Sequence, residues 1–149
     1  CIRVLCCRLL LIWYEIMKQL VLISHGKFAE ELKKSTEMIM GPQDCIHTVC
    51  FLPEEGQAEF REKFENAVKD LDDYVVLADL LGGTPANVIS KMILEGQDIQ
   101  CYAGMNMPMV IGFLNGVLLE QEVDLVGYGR DNIHHINEII LQDSDDEDE

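Results

Sequence analysis

The chain has 149 residues, 48% of them hydrophobic and 26% charged, with a formal net charge of -16. This is a globular composition, long enough for one domain with its own core, and the negative charge argues against nucleic acid as a partner, since a phosphate backbone would be repelled. Six of the last seven residues, "DSDDEDE", are acids, a run expected to form a solvated, disordered tail over 143–149.

The first sixteen residues, "CIRVLCCRLLLIWYEI", contain no methionine, and "MKQLVLIS" follows at once. Arg3 and Arg8 would suit the start of a signal peptide, but Trp13, Tyr14 and Glu15 spoil its cleavage region. The apolar stretch over residues 9–14 is too short to cross a bilayer. Met17 is therefore expected to be the natural start, with 1–16 an upstream extension and one domain over 17–142. Cys1, Cys6 and Cys7 cluster at the front, while Cys45, Cys50 and Cys101 fall in apolar runs. There is no C-x-x-C and no Cys/His cluster at zinc spacing, so no metal is expected. The last three cysteines read as small buried hydrophobes of a reducing compartment.

From Met17 onward, short apolar runs alternate with helix-periodic segments. "QLVLIS" (19–24) is a near-continuous apolar run, as in a strand covered on both faces. Phe28, Leu32, Ser35 and Ile39 then recur at helical spacing, and Gly41-Pro42 is the stop. "CIHTVCF" (45–51) predicts a second strand; Phe60, Phe64, Ala67 and Leu71 form the stripe of a second helix. "YVVLAD" (74–79) is the third strand. "LLGG" leads to Thr84 as an N-cap with Pro85 at the first helical position, and Val88, Ile89, Met92 and Ile93 are expected to face the core. "DIQCYAG" (98–104) is the fourth strand, "MNMP" a loop and 108–119 a fourth helix. Beyond about Glu120 the pattern weakens, and "NIHHINEII" (132–140) fits a final strand or a short helix. The alternation implies an α/β fold, doubly wound, with a mainly parallel sheet and helices on both faces.

Open sheets of this class bind ligands at the carboxyl ends of their strands, where the winding reverses. In a 2-1-3-4 order the reversal falls between strand 1, ending at His25, and strand 3, ending at Asp79. A carboxylate on one imidazole nitrogen fixes the tautomer and frees the lone pair of the other. That nitrogen can attack an electrophile, and the carboxylate then stabilises the resulting cation. Gly82 and Gly83 let backbone N–H groups approach a phosphoryl closely. Thr84 offers a hydroxyl at a helix N-terminus, and Ser24 and Gly26 lie in the first strand–helix turn as further donors. Taken singly, each has a plainer reading: His25 as a turn residue, Asp79 as a turn or cap, Thr84 as only a cap. Around one crevice they point to phosphoryl transfer. No G-x-x-x-x-G-K-[ST] and no G-x-G-x-x-G is present, so a nucleotide cofactor lacks support. His47 reads as packed in its strand; His134 and His135 have no evident carboxylate partner and read as structural. "AGMNMPM" (103–109) is unusually methionine-rich for a solvent loop, part core and part the rim of a protein-docking surface.

Three blocks, "MKQLVLISHGKFAEELKKSTEMIMG", "LADLLGGTPANV" and "AGMNMPM", resemble in order the IIA proteins of the mannose/fructose/sorbose family of the bacterial phosphoenolpyruvate-dependent sugar phosphotransferase system, over roughly residues 17–118. The resemblance implies a phosphotransferase component that works without a cofactor: His25 takes a phosphoryl group from the phosphocarrier HPr and passes it to a separate IIB protein, upstream of the membrane IIC and IID components. It implies that Asp79 hydrogen-bonds the imidazole, that Ser24, Gly26, Gly82, Gly83 and Thr84 surround the phosphoryl, and that Lys27, Met105, Asn106, Met107 and Pro108 lie on the docking face. It further implies a cytoplasmic homodimer that exchanges a C-terminal strand, for which "NIHHINEII" is the candidate, paired antiparallel on the partner's sheet edge. The alternatives are the phosphotransfer subunit of a dihydroxyacetone kinase, a non-catalytic flavodoxin-like binding module, and a hydrolase using His25 as base, which lacks a partner nucleophile.

Overall fold

A computed structural model describes residues 18–145; the expected extension over 1–16 and the end of the acidic tail, 146–149, lie outside the described residues. Strands β1 (Gln19–His25), β2 (Ile46–Phe51), β3 (Tyr74–Ala78) and β4 (Gln100–Ala103) pair in parallel in the order β2-β1-β3-β4. Between and after them run helices α1 (Phe28–Met40), α2 (Gln57–Val68), α3 (Thr84–Leu94), α4 (Met107–Leu118), α5 (Leu125–Asp131) and α6 (Ile136–Asp145). The doubly wound 2-1-3-4 sheet is the one the alternation predicts.

The central strand shows why its run is apolar throughout. Leu20 and Leu22 pack with Ala29 and Leu32 of α1 and with Val110, Phe113 and Leu114 of α4. Val21 and Ile23 point to the other face, against Phe60 and Phe64 of α2 and Val88, Ile89 and Met92 of α3. A strand covered on both faces has no place for polar alternation. His25 continues the second set, so its ring emerges on the α2–α3 side of the sheet. The parallel register places it opposite Phe51 of β2.

Several expectations change. The buried stripe of α1 is Ala29, Leu32 and Thr36, whereas Phe28 is 47% and Ile39 62% exposed. The Ser24 hydroxyl accepts from the Ala29 N–H at 2.8 Å and orients the first turn so that Ala29 meets the sheet. Thr36 is tolerated inside because its Oγ1 donates to the Leu32 carbonyl at 2.9 Å. Helix α2 ends at Val68, so Leu71 lies beyond it, and Ile93 of α3 is 40% exposed. Gly83, not Thr84, is the N-cap of α3. The segment 132–140 is not a strand: α6 occupies Ile136–Asp145 and reaches into the first three tail residues. Ile136, Ile139 and Ile140 recur at helical spacing, which extended backbone would divide between two faces. Cys45 and Cys50 are buried as expected and Cys101 half-buried; burial pushes the Cys101 thiol up to about 11. Among the described residues, no helix is long and apolar enough to cross a membrane.

Candidate functional site

At the carboxyl edge of the sheet, the Asp79 N–H donates to the Ile23 carbonyl at 3.2 Å, extending the β1–β3 ladder one residue past β3. This carries the carboxylate to His25, 54 positions away in sequence. One oxygen, Asp79 Oδ2, accepts from the His25 backbone N–H at 2.9 Å and lies 2.8 Å from His25 Nδ1. A carboxylate accepts only from a protonated nitrogen, so Nδ1 carries the hydrogen, and in the neutral ring the lone pair is then on Nε2. The exposures are unequal: the His25 side chain is 45% and that of Asp79 13% exposed. Asp79 Oδ1 is buried with no hydrogen-bond partner among the described residues. Such an oxygen costs about 1–3 kcal/mol, so this carboxylate is placed for the imidazole rather than for stability.

The ring is confined from both neighbouring strands. On the β3 side, a Cβ added at Gly83 would stand 2.5 Å from His25 Cε1 and 3.3 Å from Nε2, so only glycine lets the backbone pass this close. On the β2 side, Phe51 meets the imidazole edge to face, with centroids 5.9 Å apart. Neither contact is local in sequence, and Phe51 belongs to no motif of its own. The signal was available: its position at the end of a strand parallel to β1 places it level with His25.

The other anticipated residues divide. Thr84 is the first helical residue; its hydroxyl and the N–H groups of Thr84 and Ala86 make no hydrogen bond among the described residues, leaving an open donor set at the N-terminus of α3. Asn87 Nδ2 donates to the Gly82 carbonyl at 3.1 Å and holds the turn closed. Ser24 and Gly26 are not open donors. Ser24 is fully buried with its hydroxyl engaged by Ala29, and the Gly26 N–H donates to the Phe51 carbonyl at 2.8 Å. They shape the turn, Gly26 at φ +53°, and contribute no free group toward Nε2.

On the expected docking rim, Lys27 is exposed, and Asn106, Met107 and Pro108 are half-buried. Met105 is 5% exposed, and its N–H donates to the Ala78 carbonyl; it belongs to the core and not to the rim. Asn106 caps α4 through Oδ1 to the Met109 N–H at 3.0 Å and donates Nδ2 to the Gly129 carbonyl at 3.1 Å. A more exposed apolar feature lies beside the histidine: Leu80 and Leu81, the latter 82% exposed, in the turn that leads to Gly83. The other histidines lie elsewhere. His47 Nε2 bonds Gln19 Oε1 at 2.9 Å, and burial lowers its pKa. His135, contrary to expectation, has a carboxylate partner, Glu138, at 3.1 Å. Among the described residues, no group of three or more His, Cys, Asp or Glu converges as metal ligands do.

An imidazole with one nitrogen tied to a carboxylate and the other open to solvent has the chemistry of a nucleophile, and the adjacent helix N-terminus has that of an anion-binding group. Residues 19–126 match the family model described as the PTS system fructose IIA component. The chain is 33% identical over 102 residues to the fructose-specific EIIA component of Bacillus subtilis (strain 168), a match covering 66% of this chain and 70% of that protein. It is 32% identical over 95 residues to the mannose-specific EIIAB component of Escherichia coli (strain K12), covering 62% of this chain but only 29% of that longer protein. The crystal structure of phosphotransferase system component EIIA from Streptococcus agalactiae superposes with a TM-score of 0.71 at 26% identity, covering 81% of this chain and 98% of that one. With the family model spanning well over half of its length, this chain belongs to the PTS fructose IIA component family.

Proposed function

We propose that this chain is a cytoplasmic phosphoryl carrier for sugar uptake, with His25 Nε2 as the accepting atom. The observation that carries the reading is the double engagement of Asp79 Oδ2 by the His25 N–H and Nδ1, which leaves Nε2 as the one open nitrogen. The Nε2 lone pair attacks phosphorus; the new N–P bond forms as the bond to the donor breaks, and the electron pair of that bond leaves with the donor. No proton has to leave Nε2. The imidazolium that results is stabilised by the Asp79 carboxylate, and the reverse sequence delivers the phosphoryl onward. Phosphoryl transfer needs positioning and charge stabilisation more than covalent machinery. Thr84 supplies the phosphoryl side of the site through the free donors and the dipole of α3, while Gly82 and Gly83, the latter with its N–H on the Leu80 carbonyl, leave room for the close approach.

Donor and acceptor are HPr and a separate IIB protein, with the membrane IIC and IID components beyond. They dock over Nε2 on a face that includes Lys27, Asn106, Met107 and Pro108. Leu80 and Leu81 add an apolar rim in a stretch with no charge between Asp79 and Lys91. A homodimer is supported by the helix α6, whose Ile136, Ile139, Ile140 and Leu141 are all exposed, an apolar surface larger than scattered single residues make. Light scattering of Ile136→Glu/Ile140→Glu is expected to report a monomer.

The test of the carrier role is incubation with phosphoenolpyruvate, enzyme I and HPr. Wild type should acquire an acid-labile label and His25→Ala none. Label on the alanine variant would refute the assignment.

A further inference from the structure

We infer that Lys63 and Glu55, remote from Nε2 and in contact with no reacting atom, form a clamp that positions the imidazole of His25; the inference rests on the carrier reading above. Strand β2 is an edge of the sheet, pairing only with β1 among the described residues. Successive carbonyls of a strand point to opposite sides. That of Phe51 faces β1 and accepts from the Gly26 N–H at 2.8 Å, so that of Cys50 faces the open edge. There Lys63 of α2 donates to it at 2.6 Å. The same ammonium lies 2.8 and 3.1 Å from the two Glu55 oxygens. Glu55 Oε2 also accepts from the Leu52 N–H at 3.1 Å, and the Glu55 N–H returns to the Leu52 carbonyl at 3.0 Å. The backbone on both sides of Phe51 is thereby tied to one lysine.

Phe51 is what the clamp holds still. Its ring is edge-on to His25 and, at 5.9 Å, edge-on to Phe60, one helical turn before Lys63. Asp79 and Gly83 bound the imidazole from the β3 side, and Phe51 bounds it from β2. A ring gripped on one side swings about its Asp79 bond; gripped on both, it presents Nε2 in one direction. The bonds from Lys63 and from the Leu52 N–H hold the Glu55 carboxyl below its ordinary range.

The test compares Lys63→Met, Glu55→Gln and a Lys63→Arg rescue by two measurements. One is the rotamer distribution of His25 from side-chain three-bond couplings in NMR, which requires no phosphoryl chemistry; the other is the rate of transfer from phosphorylated HPr. Lys63→Met and Glu55→Gln should each show averaged His25 rotamers and transfer slowed about 3- to 10-fold, within what displacement of a reacting group by a fraction of an ångström costs. Lys63→Arg should restore a single rotamer. A single His25 rotamer in folded Lys63→Met and Glu55→Gln overturns the clamp. So does rotamer averaging with transfer unchanged. Should wild type itself fail to take phosphate, the carrier reading falls, while the couplings still decide whether the clamp orders the ring. Both substituted side chains are partly exposed, and Glu55→Gln, which keeps shape, covers the case in which Lys63→Met fails to fold.

Discussion

Gly83→Ala is the sharpest probe of the site, because it adds one methyl group at a known distance from the reactive ring. Gly83 has φ -79° and ψ 162°, ordinary extended backbone that alanine adopts without strain. The only consequence is contact: the new Cβ would lie 2.5 Å from His25 Cε1, with the Leu80 carbonyl at 3.5 Å on its own side. Carbon atoms pack at about 3.5–4.0 Å, so the ring must retreat by about 1 Å. Phe51 blocks that retreat from the β2 side, and the remaining freedom is rotation away from Asp79, which breaks the 2.8 Å Nδ1 bond. A hydrogen bond to a charged partner is worth about 1.5–3 kcal/mol, which converts to about 10- to 10²-fold in rate. Rapid-quench measurement of transfer from phosphorylated HPr should therefore show a loss in this range, with secondary structure by circular dichroism unchanged. Transfer within twofold of wild type would show that the ring has room the structure denies it, and would refute the confinement argument.

Asp79→Ala should remain folded, since it loses only the two Oδ2 bonds to His25 at the exposed edge of the sheet and removes a buried oxygen without a partner among the described residues, yet transfer should slow by about 10²-fold, as when one stabilising group is removed from developing charge; unchanged kinetics would contradict the orienting role. Phe60→Ala, at a site with 0% exposure, should cost about 3–5 kcal/mol in urea unfolding, and a loss under 1 kcal/mol would mean that the α2 face repacks. His47 contributes a pH dependence of defined sign. Burial lowers its folded-state pKa, so below the ordinary histidine value of about 6.5 the unfolded chain binds the proton more readily. Thermal melts should show stability fully present above that pH and declining as pH falls through it, with the decline reduced in His47→Gln. An unchanged slope in that variant would assign the acid sensitivity to other groups.

The elements legible in the chain were those whose pattern is local and whose faces are covered. The apolar runs of β1 and β3 and the Phe60/Phe64 stripe of α2 read correctly because burial leaves the same periodicity wherever the helix or strand docks. The phase of α1 did not, since Phe28 and Ala29 are equally plausible starts of a stripe until the Ser24 hydroxyl selects the second. The segment 132–140 was ambiguous because nine residues are too few for the helical spacing of Ile136, Ile139 and Ile140 to be told from a short apolar strand.

The same division runs through the site. That His25 and Asp79 share a crevice follows from residue order alone, because right-handed crossovers in a parallel sheet leave few places for the ends of strands 1 and 3. Which oxygen meets which nitrogen, how closely Gly83 passes the ring, and that Phe51 closes its other side were decided only by folding, for these are distances between segments that no local preference encodes. Met105 and Ser24 make the point from the opposite direction. Both lie at or just past the carboxyl end of a strand, and both are withdrawn into packing, because the sheet takes the Met105 N–H and the first turn of α1 takes the Ser24 hydroxyl.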